Sequence, residues 1–555
     1  MRSAGRRRFL LDVLRILGWS AAAGGTGCGS GAPGSSTQTG LETLLGRWRG
    51  KDIAGGFVGQ HFDRGHRLRD LQHPQPDTVR RTGVAIVGGG IAGLAAARAL
   101  LRAGVDDYRL FELEDEPGGN SRGGLVNGFA CPWGAHYVPT PGPYADELAE
   151  LLTEYRLRRV QGGRVEYDEM HLCHSPQERL FIAGGWQEGL LPVRGQSAAT
   201  LDAYRRFADL VGEIGQPGAF TIPTSRCRWD ESLAALDRLS FAQWLDQHQL
   251  VTPALRWYLD YCCRDDYGAG IERVSAWAGL HYFASRHGFA APQAHEAADE
   301  LLTWPEGNAW LARRLAAPHR ERIQTAALGL RVAENRDGVE VDVIDLSTGQ
   351  VTRWLADQVI LATPLFVSAR LLATPPSALQ QAAAALEHAP WLVANLHLEQ
   401  RLTGHTGDAP LSWDNVLYGA AGLGYVNAMN QSTLPYAGAT VLTYYRAFGN
   451  DPLGGRRALL QRSWEEWRET VLAELQTAHP DLRGKVRRID MMRYGHAMAI
   501  PTPGTRGSAW LAALQDNTGR VRFAHSDLSA YSVFEEALHW GLYAGEAAAR
   551  RLRSG

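Results

Sequence analysis

Three glycines and one carboxylate carry the clearest chemistry in this sequence. Gly88, Gly90 and Gly93 stand at G-x-G-x-x-G spacing between four β-prone residues, Val84 to Val87, and an alanine- and leucine-rich stretch running to Leu101. At such a strand-to-helix turn the first glycine permits the tight bend, the second lets backbone approach a pyrophosphate, and the third lets the helix pack on the strand. Ile91 and Ala92 open the helix, whose free N–H groups and dipole favour phosphate. A second strand, Tyr108 to Phe111, delivers Glu112 and then Leu113, placing a carboxylate where it can accept hydrogen bonds from a ribose. Together these residues specify a dinucleotide site.

The chain that must position them has 555 residues, enough for two or three domains. A net charge of −2 gives no reason to invoke nucleic acid. Six cysteines (Cys28, Cys131, Cys173, Cys227, Cys262, Cys263) show no zinc-like spacing, so no metal is expected. They read as core cysteines, with a disulfide open to them if the protein is exported. No run of eighteen apolar residues predicts a membrane span. Lysine occurs only as Lys51 and Lys485. Arg6-Arg7-Arg8-Phe9-Leu10-Leu11 and a modestly apolar run to Ala23 resemble a twin-arginine export signal, over 1–28. Gly25-Thr26-Gly27-Cys28 resembles a lipoprotein cleavage site, which would anchor Cys28 to lipid. The expected location is therefore periplasmic or membrane-anchored. A Gly/Ser/Pro-rich linker fills 29–40, and 41–82 is expected as a short extension packed on the first domain.

Downstream, F-E-L-E-D-E-P-G-G-N-S (111–121) and W-G-A-H-Y-V (133–138) follow the glycine turn. With it they resemble the flavin-containing amine oxidase superfamily, which includes protoporphyrinogen oxidase- and phytoene desaturase-like enzymes. The resemblance implies an α/β fold: a Rossmann-like (GR2-type) FAD-binding domain at 83–143, 301–370 and 501–555. It is interleaved with an α+β substrate-binding domain at 144–300 and 371–500. FAD, held non-covalently, is the implied cofactor. Gly118 and Gly119 would approach its diphosphate, with Asn120 standing where the family has arginine and Arg122 as the substitute. Gly134, Ala135 and His136 would lie against the isoalloxazine. Strand-like runs at 323–332, 339–343 and 356–364 would bring Leu330 and Val332 past the adenine and end a strand at Thr363. Asp527 and Val533, ahead of a helix over 534–551, would meet the ribityl chain and the flavin; the family's F-A-G-E reads Phe523-Ala524-His525-Ser526 here. Runs at 392–398 and 440–445 are expected as substrate-domain strands, and 458–478 as one helix.

For chemistry, a flavin takes a hydride from substrate and passes electrons on. Candidates to shape the reaction are His136 with Tyr137, and Tyr494 and His496 before the Pro501–Gly504 turn; each is also explicable as plain buried structure. Asp265-Asp266-Tyr267-Gly268 could attract a cationic amine, but a solvated acidic turn is preferred. Trp413, Tyr418 and Tyr425 are read as core aromatics rather than a pocket. The two lysines fall outside the segment that supplies a flavin-side lysine in many amine oxidases. The expected function is hydride removal from the C–N unit of a small amine, with oxygen or a quinone as acceptor. The alternatives are C–C desaturation of an apolar or cyclic substrate, or a flavoprotein that only binds.

Overall fold

The computed structural model describes residues 53–554 except 60, 70–73, 287, 293–299, 405–407, 433–437 and 517. The export signal, the linker, Cys28 and Lys51 lie outside the described residues. Two sheets organise the rest. The first runs in the order Ile323–Gln324, Tyr108–Phe111, Thr78–Val87, Val351–Leu361, Val339–Asp345, Ala327–Glu334, with Val521–Phe523 also on Val351–Leu361. Its central strand, Thr78–Val87, is parallel to both neighbours. Val84, Ala85 and Ile86 are fully buried because both faces are covered.

The covering helix Ile91–Arg102 explains its own composition. Alanine keeps it thin enough for the C-terminal helix Phe534–Ser554 to lie directly on it. A Cβ at Gly541 would come within 2.2 Å of Ala92 O, and one at Gly545 within 2.5 Å of Ala96 O. Two glycines four apart thus meet two alanines four apart, one turn per contact.

The second sheet has eight strands: Ala54–Phe57, Val486–Ala499, His388–Leu398, Thr440–Ala447, Tyr425–Asn427, Asp414–Leu417, Glu178–Ile182, Gly185–Glu188. Alternation divides its faces. Leu392, Ala394, Leu442, Tyr444 and Met491 share one core with Trp467 and Val471, whereas Trp391, Val393, Tyr445, Met492 and Tyr494 face a core built from the helices Ala198–Ile214, Pro253–Tyr267 and Ala276–Ala284.

Three expectations change. The 41–82 stretch is not one extension on the first domain. Ala54–Phe57 forms the edge of the second sheet, pairing Ala54 with Arg488 and Phe57 with Met491. Residues 78–82 are already central strand. The helix expected over 458–478 is two, Pro452–Gln461 and Trp464–Gln476, because Ser463 and Glu466 make a reciprocal capping box that restarts the backbone. The 323–332 strand breaks at Ala326, whose φ is +49°. Among the described residues the cysteines are unpaired, and no helix is long and apolar enough to cross a membrane.

Candidate active site

The glycine turn has the geometry its spacing predicts. Gly88 has φ +106°, and a Cβ there would lie 2.4 Å from Ala362 O; a Cβ at Gly93 would lie 1.9 Å from Gly88 O. Neither position accepts a side chain. Gly90 caps the helix without a side-chain acceptor, so the N–H groups that open it, at Ile91 and Ala92, face outward for a ligand. A second loop closes on the first: Gly118 N donates to Gly89 O at 2.8 Å, Gly90 and Gly118 form a parallel bridge, and Gly119 packs on the Cα of Gly90. Glu112 is buried and accepts from Gly89 N at 2.7 Å and Glu114 N at 2.8 Å. Burial nevertheless pushes its carboxyl up to about 7. Leu330 sits in a bulge, where partners skip from Gly329–Val343 to Arg331–Asp342 and leave its backbone outside the ladder. Val332 is fully buried beneath it. A backbone cradle, a buried carboxylate and an unpaired strand segment fit the adenosine diphosphate half of FAD.

Arg122, read as a substitute, and Asp527, read as meeting the ribityl chain, both make contacts within the protein. Arg122 donates to Gly59 O, stands 3.6 Å from Glu114 and lies over Trp133, so its guanidinium holds protein rather than phosphate. Asp527 is fully buried. Its carboxylate meets His388 Nε2 at 3.1 Å, Leu365 N at 2.9 Å and His525 Nδ1 at 3.2 Å. Although burial opposes it, the two histidines hold that carboxyl well below its usual range. It ties the 526–529 turn to the second sheet at His388 and to the start of the helix Leu365–Leu371. Thr363 shares its hydroxyl with Ser368 beside Gly88, and Leu113 packs beside Leu330.

Beyond Gly134 a cavity of about 140 Å³ opens, with Asn120, Gly134, Trp391, Tyr445 and Glu535 among the residues of its wall. Gly134 is obligatory, since a Cβ would fall 2.2 Å from Asn120 O. Tyrosines from the second sheet grip this turn: Tyr494 OH donates to Trp133 O at 2.9 Å and Tyr445 OH to Gly134 O at 3.0 Å. Trp391 lies beside Tyr494 in register, and Val393 beside Tyr445. His136 stacks on Tyr445 at 4.5 Å, and burial pushes its imidazole down to about 3, so the ring is neutral. Asn120, Ala135, Tyr137 and Val533 complete this end.

His136 and Tyr494 therefore meet at the cavity, whereas His496 does not line it. Its ring packs on Phe366 at 4.7 Å, 6.1 Å from His388. Trp413 stands behind His136 at 5.4 Å; Tyr418 packs on Trp257, and Tyr425 binds Arg179 and His479 in the core. Lys485 is held by Asp481 at 2.5 Å, away from the cavity wall.

The acidic pair is not a solvated turn. Asp265 and Asp266 end the helix Pro253–Tyr267 inside the protein, because Gly268 turns the chain at φ +71° under Trp391 and Ala389. Asp266 is 4% exposed; it takes a two-point contact from Arg286 at 3.1 and 3.3 Å and a 2.6 Å bond from Tyr531 OH. Asp265, on the cavity wall, has no hydrogen bond or ion pair with the described residues. Burial, then repulsion by Asp266, pushes its carboxyl up to about 7. Glu535, in the first turn of the C-terminal helix, is also on the wall, 7% exposed, without a side-chain partner, and pushed by burial up to about 7. Arg286, Tyr531, Glu535, Trp391 and Tyr445 were not foreseen as site residues. Every residue of His388–Leu398 is buried, so no alternation marked Trp391, and nothing local marks Arg286.

Residues 91–551 match the family described as flavin containing amine oxidoreductase. The chain is 30% identical over 177 residues to putrescine oxidase of Kocuria rosea, a stretch covering 31% of this chain and 32% of that relative. It thus spans about a third of the curated relative it matches. Among solved structures, putrescine oxidase bound to putrescine superposes with TM-score 0.61 at 18% identity, covering 86% of this chain and 100% of the other. Cyclohexylamine oxidase from Brevibacterium oxydans gives 0.62 at 18%, covering 85% and 99%. A putative protoporphyrinogen oxidase from Exiguobacterium gives 0.57 at 17%, covering 87% and 100%. At these identities the superpositions establish the fold.

Proposed function

Since the chain belongs to the flavin-containing amine oxidoreductases, with FAD as its cofactor, we propose that it oxidises the C–N unit of a small cationic amine. One observation carries this reading: among the described residues the cavity wall holds Asp265, Asp266 and Glu535 against one arginine, Arg286, which Asp266 and Tyr531 already occupy. Half-buried Asp265 and buried Glu535 have no side-chain partner among the described residues and are costly to ionise, and an ammonium group is the ligand that removes the cost. Neutral His136 adds no opposing charge.

Held by the Gly88–Gly93 turn, the Gly118–Gly119 loop and Glu112, FAD would supply the hydride acceptor and a route for electrons to oxygen or a quinone. Asp265 and Glu535 hold the ammonium end and fix which carbon is presented. Tyr445, Tyr494, His136 and Trp391 enclose the hydrocarbon part and exclude water, while the two tyrosine hydroxyls keep the Trp133–Gly134 turn in place. The names of the putrescine and cyclohexylamine oxidases agree with an amine. That of the protoporphyrinogen oxidase represents the C–C alternative, for which partnerless carboxyls on the wall have no use. The 1–28 segment is read as directing export, with Cys28 as a lipid anchor.

Anaerobic titration with aliphatic amines tests the activity. Bleaching of the oxidised flavin is expected, with saturation at lower concentration for amines than for their uncharged alcohol analogues. A flavin bleached by apolar substrates and by no amine would overturn the reading.

A further inference from the structure

Four parallel strands end side by side where the glycine turn emerges. In register, Phe111 pairs with Val87, Val87 with Leu361, and Leu361 with Phe523. The first residues beyond the sheet therefore stand in a row: Glu112, Gly88, Ala362 and Ala524. Three backbone bonds keep the row level, from Gly88 N to Phe111 O at 2.9 Å, Ala362 N to Val87 O at 2.8 Å and Ala524 N to Leu361 O at 3.0 Å. In open α/β sheets, ligands bind in the crevice outside such strand ends. Strand spacing of about 4.8 Å makes this row about 14 Å long. Glu112 closes it on one flank, with the glycine turn beside it. The opposite flank belongs to the residue after Ala524, which is His525.

His525 interrupts a closed stretch. Every other residue from Val521 to Tyr531 is buried, whereas 23% of the His525 side chain is exposed. Local bonds fix its ring. As the cap of the 526–529 turn, its Nδ1 accepts from Asp527 N at 3.1 Å. With that lone pair engaged, the ring hydrogen is carried on Nε2. Asp527, whose carboxylate stands 3.2 Å from the same Nδ1, is itself pinned by His388 and by Leu365 N. Leu365 follows Thr363 by two residues, so the ring is held beside the end of the Val351–Leu361 strand. Its Nε2–H makes no hydrogen bond with the described residues.

That donor stands where other candidates are committed. Asn120 has its amide on Ala497 O at 2.6 Å, and Arg122 is held by Gly59 and Glu114. Asp527 is consumed by its two histidines and Leu365. The helix that follows Gly90 supplies only about half a positive charge to a diphosphate that brings two negative ones.

We propose that His525 is part of the FAD site, donating its Nε2–H to the flavin-side phosphate on the flank opposite Glu112. Asp527 is then a positioning residue that aims the ring. The proposal rests on the cofactor and not on the amine reading.

The test separates the cap from the donor. The asparagine of H525N keeps an acceptor for Asp527 N, since Asn caps well, and has nothing at the place of Nε2. The glutamine of H525Q extends an amide to that place and caps poorly. Holoenzyme without substrate is diluted, and FAD release is read as the rise of free-flavin fluorescence. H525N should hold FAD about tenfold to a hundredfold less tightly than wild type, the value of one hydrogen bond to a charged group. H525Q should recover most of that loss. Equal retention in H525N and wild type overturns the proposal, as does an equal loss in both variants, which would assign the effect to the turn. Far-UV circular dichroism checks that the variants are folded. Wild type gives an independent reading through 15N-labelled histidine. FAD loading should slow solvent exchange of one Nε2 hydrogen, in a signal that H525Q lacks; no such signal overturns the proposal. Because no amine is present, failure here leaves the amine reading standing, and the reverse holds.

Discussion

Asp265 and Asp266 are neighbours of the same type, and the structure requires opposite responses from them. Asp266 pairs with buried Arg286; Asp265 makes no hydrogen bond or ion pair with the described residues, and the more distant Arg286 and Arg264 do not outweigh its burial. Replacing Asp265 by Asn keeps size and shape and removes the charge. Since the folded carboxyl sits at about 7 and its usual value is 3.8, the folded state favours the proton. Stability in the wild type is then complete below pH ~4 and falls as pH rises through about 7. D265N does not titrate, so its advantage opens across that window and is flat above it, reaching about 2–4 kcal/mol, the upper end being the full displacement at 1.36 kcal/mol per pH unit. For a chain of this length that is roughly 2–4 °C in melting temperature, from ~2.1 cal/mol/K of unfolding entropy per residue. Amine binding moves the other way. Loss of one charge-assisted contact, about 1.5–3 kcal/mol, raises the half-saturating amine concentration about tenfold to 150-fold. D266N should instead lose about 3–5 kcal/mol of stability, because Arg286 is left buried without its partner. Thermal melts of holoenzyme at pH 4 and pH 8, with anaerobic flavin reduction by a saturable amine, measure all three. A D265N protein that melts like wild type at pH 8, or binds amine equally well, would refute the reasoning.

Two further outcomes follow from the glycine turn and the N-terminus. Gly90 has ordinary backbone angles, and a Cβ added there would meet only Gly119 Cα, at 3.8 Å, so Gly90→Val should fold but purify colourless; Gly93→Ala, with Cβ 1.9 Å from Gly88 O, should fail to fold. Circular dichroism with the visible spectrum separates the two. Lysine in place of Arg6 and Arg7 should abolish export, seen as loss of the protein from the periplasmic fraction; undiminished export removes the twin-arginine reading.

What could be read in advance was local. Gly88, Gly90, Gly93 and Glu112 act within one βαβ unit, where spacing alone sets geometry, whereas Gly134 was legible only through its motif, since Asn120, Tyr445 and Tyr494 close around it from elsewhere in the chain. The engagement of Arg122 was not legible because Gly59, whose carbonyl accepts from its guanidinium, arrives from 63 residues earlier by a path no periodicity announces. The acidic pair shows the physical limit most clearly. Successive residues on a helix point about 100° apart, so of two adjacent aspartates one can meet a buried arginine while the other faces a cavity. Which does which is decided by Arg286, 20 residues on, and Tyr531, 265 residues on. A charged dipeptide is normally solvated, and that prior fails here because the Gly268 turn beneath Trp391 draws the helix end inward. The buried charge that results is tolerable for Asp266 because it is paired. For Asp265 it is tolerable only as a proton-bearing carboxyl or as the partner of a cation that enters, which makes the least stable carboxylate in the cavity the one best placed to select a substrate.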